Sequence, residues 1–124
     1  MKPKTAKILY WVVLIFLVLF ALMDGVSGIL RVESGKESLR MLGYPIYLLT
    51  IVGVAKVLGA IALLQKKSPT LREWAYAGFA INFIGAAASW AFVGGSLFFI
   101  ALPLIFLALM FIPYYLWKQY GVGN

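Results

Sequence analysis

Long apolar runs separated by short polar or glycine-rich breaks dominate the 124-residue chain. Four of them reach the roughly 20 residues that a helix needs to cross about 30 Å of hydrocarbon. They lie at about Ile8–Ile29, Ile46–Leu64, Trp74–Val93 and Leu97–Trp117. Lipid offers backbone groups no hydrogen-bond partner, so each run is expected to be helical. Between the first two runs, Ser34 and Glu37 stand three residues apart in a capping-box pattern, which predicts a short helix over residues 35–42. Gly43 suits the end of that helix, and Pro45 the first turn of the next span. Thr70 and Glu73 repeat the capping box before the third span. Gly94-Gly95 predicts a tight, uncharged hairpin between the third and fourth. The expected fold is all-α: a single transmembrane domain over residues 1–124, built as a four-helix bundle with a short helix in its first, outer loop.

Composition sharpens this picture. Hydrophobic residues make up 64% of the chain and charged residues 12%, too apolar for an ordinary soluble domain. The formal net charge of +7 would suggest nucleic acid in a soluble protein. Here the basic residues sit on short segments between apolar runs, where they set topology, so the bilayer is the expected partner and nucleic acid is not. Lys2, Lys4, Lys7, Lys66, Lys67, Arg72 and Lys118 fall on one side, against Arg31, Lys36 and Arg40 on the other. That asymmetry places both termini in the cytoplasm. Tyr10, Trp11, Trp74, Tyr76, Tyr114, Tyr115, Trp117 and Tyr120 then form the inner aromatic belt, and Tyr44, Tyr47, Trp90 and Phe92 the outer one. The expected location is the bacterial cytoplasmic membrane. The first run is long for the core of a cleaved signal peptide and is followed by no A-x-A-like site, so an uncleaved helix is expected. No repeat, low-complexity tract or second domain is visible.

The chain has neither Cys nor His. Disulfides, thiol nucleophiles, zinc sites of the Cys/His type, His-ligated haem and iron–sulfur clusters are thereby removed together. No metal and no covalent cofactor is expected. What chemistry there is must come from a few polar residues at membrane depth, where a charge costs at least about 2.5 kcal/mol. At 1.5 Å per residue, Lys56 lies about 15 Å below the outer boundary and Asp24 about 8 Å below it. Asn82, entering from the other side, also falls near the middle.

Small residues share a face with each of them. Gly53, Lys56 and Ala60 follow i, i+3, i+7 spacing with Gly59 alongside, and Ala75, Gly78, Asn82, Gly85 and Ser89 run down one side of the third span. Gly28 follows Asp24 by one turn, with Ser27 near. Small residues let helices approach closely, and polar ones prefer the protein-facing side. Gly53, Gly59, Gly78 and Gly85 are therefore the candidate helix-packing positions rather than a phosphate cradle, since no strand precedes any of them. Asp24, Lys56, Asn82 and Ser89 are the candidate ligand-binding residues. Two readings of this cluster stand together: a buried Asp24–Lys56 ion pair braced by Asn82, or a cavity in which Lys56 meets the polar head of a lipophilic ligand. Glu73 reads as a helix cap, Pro103 as a kink, and Pro113 as an ending near the inner interface.

The string LGYP at Leu42–Pro45, the segment GVAKVLGAIALL carrying Gly53, Lys56 and Gly59, and the run REWAYAGFAINFIGAAAS from Arg72 to Ser89 resemble the DoxX-like family. The resemblance covers most of the chain and implies a small four-helix integral membrane protein. It also implies links to membrane redox complexes, since the family takes its name from membrane subunits associated with thiosulfate:quinone oxidoreductases. Quinone contact, carried over, would fall on Lys56, Asp24 and Asn82. Three functional classes follow. The leading one is an accessory or binding subunit for a quinone or other lipophile, beside a membrane redox partner. The second is a membrane oxidoreductase subunit or isomerase with Asp24 and Lys56 exchanging protons. The third is a structural or assembly bundle that oligomerises through its small-residue stripes. A transporter is disfavoured, because no inverted repeat is visible.

The charge asymmetry yields a direct test of orientation. In a bacterial host, a C-terminal green fluorescent protein fusion is expected to fluoresce and a C-terminal alkaline phosphatase fusion to stay inactive. The opposite pattern would invert the topology.

Overall fold

A computed structural model describes residues 2–121, which form five helices: α1 (Pro3–Ile29), α2 (Glu33–Leu42), α3 (Tyr47–Leu64), α4 (Pro69–Phe92) and α5 (Leu97–Tyr120). Among the described residues, α1, α3, α4 and α5 are long and apolar enough to cross a membrane. Three of these helices outrun the apolar segments read from sequence: α1 and α4 begin earlier, and α5 ends later. Hydropathy marks the part of a helix that lies in hydrocarbon, whereas backbone hydrogen bonding continues into polar residues beyond it. Pro3 and Pro69 each occupy the first turn of their helix, where a missing N–H leaves nothing unsatisfied.

The helix starts differ from the capping boxes. Ser68, not Thr70, caps α4, its hydroxyl accepting from Leu71 N at 3.2 Å. Pro69 at the first helical position fixes this start ahead of the predicted one. Helix α2 begins at Glu33 after Val32, without a side-chain cap, so Ser34 and Glu37 lie inside it. Arg31 carries a positive φ of 54°, and the chain turns there directly into α2. The helix ends match expectation more closely. Gly43, at φ 81°, closes α2 with its N–H on Arg40 O and Tyr44 N on Leu39 O, the paired bonds of a Schellman turn. Gly94 and Gly95 close α4 in the same way, onto Ala91 O and Trp90 O. Pro113 does not end α5: the helix runs unbroken through Pro103 and Pro113 to Tyr120, and Pro113 is fully buried among its neighbours.

The four long helices form a ring in the order α1, α3, α4, α5, with α5 closing back on α1 and α2 lying against α3. Packing is tightest where α1 crosses α3. A Cβ on Gly25 would stand 2.8 Å from Gly53 O, one on Gly53 would stand 2.6 Å from Gly25 O, and one on Gly28 would meet Leu49 O at 2.8 Å. The two backbones touch, as small residues permit in membranes.

The core is lopsided. Towards the end that carries the termini, Tyr10, Leu14, Leu17, Leu63, Tyr76, Phe106, Leu116 and Trp117 are all buried. Towards the α2 end, buried positions thin out to Gly25, Gly28, Gly53 and Ala87. Large apolar side chains such as Leu19, Met23, Ile81, Phe92 and Phe98 face outwards, a surface suited to lipid rather than water.

Replacing Gly53 with Leu is expected to cost about 1–3 kcal/mol, because the side chain must displace the Gly25 backbone. Gly85→Ala, with no atom within 4 Å of its Cβ position, should stay within about 0.5 kcal/mol of the parent. Unfolding by SDS titration from mixed micelles measures both, and equal losses would contradict the α1–α3 contact.

Candidate functional site

The α1–α3 crossing sets the site. Asp24 immediately precedes Gly25 on α1, and Lys56 follows Gly53 by three residues on α3, so the glycine contact sets the two charged side chains face to face. Lys56 Nζ forms an ion pair with Asp24 Oδ2. Asn82 of α4 comes to the same level and lines the same spaces as Lys56. Its carboxamide has no hydrogen-bond partner among the described residues.

Space surrounds this group. Lys56 borders four cavities at once. The first, of about 40 Å³, lies inside the bundle above an aromatic floor. The second, of about 110 Å³, is a vestibule of mixed lining under α2, walled by Asp24, Ser27 and Ser34 together with Val32, Leu49 and Val52. The third is an apolar cleft of about 420 Å³ between α3 and α4, running from Ile51 and Val52 past Lys56, Asn82 and Gly78 to Leu71 and Trp74. The fourth, of about 290 Å³, continues between the same helices towards Tyr44 and Ser89. Accordingly the Lys56 side chain retains 21% of its exposure and that of Asp24 retains 48%. A lysine ammonium has three N–H donors, and Asp24 engages it on one side only. Lys56 and Asn82 are both N–H-bearing side chains on the wall of the α3–α4 cleft.

The remaining sequence candidates are placed differently. Ser89 does not join the pair: its hydroxyl bonds that of Tyr44 at 2.7 Å, tying α4 to the α2–α3 junction seven residues beyond Asn82. Gly53 lies in the backbone contact described above. Gly59 lies against Phe79, whose ring would stand 2.9 Å from an added Cβ. Gly78 and Gly85 seat no helix. No atom lies within 4 Å of either Cβ position, and they line the clefts instead. The stripe on α4 is small where it borders space, not where it meets a neighbour.

Two features escaped the sequence reading. One is the aromatic floor, in which Phe106 packs on Phe20 at 4.5 Å between ring centroids, on Phe83 at 5.9 Å and on Phe16 at 6.1 Å. The i, i+4 spacing of Phe16 with Phe20 and of Phe79 with Phe83 was the available signal. The other is Arg72, counted from sequence as a topology marker. It is only 3% exposed, donates from Nη2 to Gln65 O at 2.8 Å, and stacks over the Trp117 ring at 4.8 Å. Glu73, read as a cap, instead pairs with Lys118 of α5, whose ammonium lies 4.7 Å over the other partner of Arg72, the Trp117 ring. These contacts lock α4 to α5 at the end that carries the termini.

Comparison with known proteins adds the family. A model described as the DoxX-like family matches residues 12–112, a span that includes Asp24, Lys56, Asn82 and Ser89. No curated protein and no solved structure matches the chain significantly. The match covers most of all four membrane-spanning helices, and the chain therefore belongs to the DoxX-like family of integral membrane proteins.

Proposed function

We propose that this protein is an accessory or binding subunit of the membrane, with a polar intramembrane pocket for a quinone or another lipophilic ligand. The observation that carries the reading is the environment of Lys56. A charge at this depth costs at least about 2.5 kcal/mol, and the ion pair with Asp24 offsets part of that. A purely structural pair is best enclosed, because enclosure strengthens the attraction. Lys56 instead borders cavities on several sides, with an unpartnered carboxamide beside it. Donor side chains bordering mostly apolar clefts suit the carbonyl head of a lipophile.

The redox associations implied by the family resemblance make quinone the first ligand to try, and a membrane redox complex the first partner. The positive-inside count orients the protein in the bacterial cytoplasmic membrane with both termini inside and α2 on the outer face. In that setting the vestibule under α2 opens towards the outer water, and the α3–α4 clefts open towards lipid.

Native mass spectrometry of the protein released from its own membrane tests the pocket. The parent is expected to carry a stoichiometric lipophile that Lys56→Met loses. Because that variant strands the Asp24 charge, the double variant Asp24→Asn/Lys56→Met serves as the stability control. It should remain folded and equally empty. Bulk phospholipid alone, equal in all three proteins, would overturn the proposal and leave a structural ion pair.

A further inference from the structure

We propose that the cleft between α3 and α4 is the seat of the ligand's tail, and that the ligand is a single-chain amphiphile with a neutral, carbonyl-bearing head. This rests on the lipophile site proposed above and adds where the molecule lies, how it enters and what its head can be.

The polar lining of the cleft lies towards one end. Lys56 and Asn82 stand there with the apolar Ile51 and Val52 just beyond them, and in the other direction the walls are Leu58, Gly78 and Trp74. Asn82 and Leu71 are eleven residues apart on α4, a run of about 16 Å. An extended apolar chain fits that shape with its tail towards the end that carries the termini. The volume, about 420 Å³, falls towards the lower end of the roughly 300–1,000 Å³ typical of small-molecule sites, which favours one chain over two. Phe79 separates this cleft from the interior cavity, its ring against Gly59. Leu58 and Trp74 stand well exposed on the rim. Entry is therefore sideways from the hydrocarbon, with no passage through water.

Charge fixes the head. Asp24 and Lys56 together sum to zero. An anionic head would leave the site with a net negative charge at membrane depth, where desolvating an unbalanced ion is expensive. A neutral carbonyl keeps the balance and accepts from both Lys56 Nζ and the Asn82 amide. Esters, amides and quinones meet that requirement, and an ionised fatty acid does not.

Trp74 supplies the readout. The probe is a fatty acid methyl ester brominated along its chain, titrated into protein in nanodiscs. It should quench tryptophan fluorescence saturably, and Trp74→Phe should remove that component. The ionised free acid of the same chain is expected to bind about ten-fold more weakly. Gly78→Leu grows a side chain into space that holds no atom within 4 Å, so the fold survives while ester binding falls at least as far. Ester quenching unchanged in Gly78→Leu, or tighter binding of the acid, would overturn the assignment. So would a Gly78→Leu variant that breaks a dimer without altering ester binding, since a second copy would then fill the cleft. If the native lipophile is lost from Lys56→Met but kept by Gly78→Leu, the head pocket stands and the tail cleft falls. If both variants keep it, both proposals fall.

Discussion

The backbone contact between α1 and α3 is the constraint on which the site depends. In lipid, burial of apolar surface gives helices little reason to associate, so close van der Waals packing or polar contacts must hold them. Gly25, Gly28 and Gly53 provide the first, with backbone against backbone. The second follows from their position in sequence. Asp24 adjoins one contact glycine and Lys56 lies one turn from another, so the crossing that seats the helices also joins the charges. A bulky residue at either glycine would separate both at once. The polar site is thus a consequence of helix geometry rather than an ornament added to it.

From that crossing the bundle divides into two unlike halves. Towards the end that carries the termini it is filled by aromatic and aliphatic side chains, and locked by Arg72 and Lys118 on Trp117. Towards α2 the helices hold fewer buried residues, and the vestibule and the space near Tyr44 and Ser89 open there. The α3–α4 cleft runs from Lys56 along the outside of the filled half. Asp24, Lys56 and Asn82 lie at the junction. A well-packed base gives the polar groups fixed positions, and the looser upper half together with the α3–α4 seam leaves room beside them. Helix α2, braced by Arg31 Nε on Thr50 Oγ1 and by Tyr44 on Ser89, covers the vestibule without filling it.

Much of this was legible in the sequence, and the reasons for the rest are specific. Membrane spans are read from hydropathy because desolvating the backbone leaves helix as the only solution, and four emerge as expected. The family was likewise readable from short motifs. The Asp24–Lys56 ion pair was one of the two readings that residue counting allowed, and Gly28 and Gly53 marked the faces on which α1 and α3 meet. Helix starts were less legible: Pro69 and the turn at Arg31 moved them, and a capping-box pattern has no knowledge of either. Gly78 and Gly85 look in sequence like Gly53, since a missing side chain admits a helix or leaves a void equally well. Only the partner face distinguishes them. Arg72 resembled any basic residue at an interface, and its burial depends on Trp117, forty-five residues away along the chain.

The ion pair itself raises the question of why charge is used here at all. Apolar residues of similar volume at positions 24 and 56 would avoid the desolvation of two ions, and replacing buried pairs in this way is often neutral or stabilising. The glycine contact already holds α1 to α3, so the pair is not needed to join them. Nor does it fix the register of the two helices, since three glycine contacts against named backbone atoms do that. What an apolar pair would not provide is a set of oriented N–H donors beside apolar clefts, held at zero net charge by a neighbouring carboxylate. Under the proposed function this is the role of Asp24: it lowers the cost of keeping Lys56 charged in lipid while occupying one side of the ammonium. The rest of the Lys56 side chain borders the clefts that Asn82 also lines. A lysine alone would carry the full cost of its charge and would favour anions. Under the same proposal, pairing with Asp24 makes it a donor for neutral acceptors, the kind of head group that an uncharged lipophile brings from the bilayer.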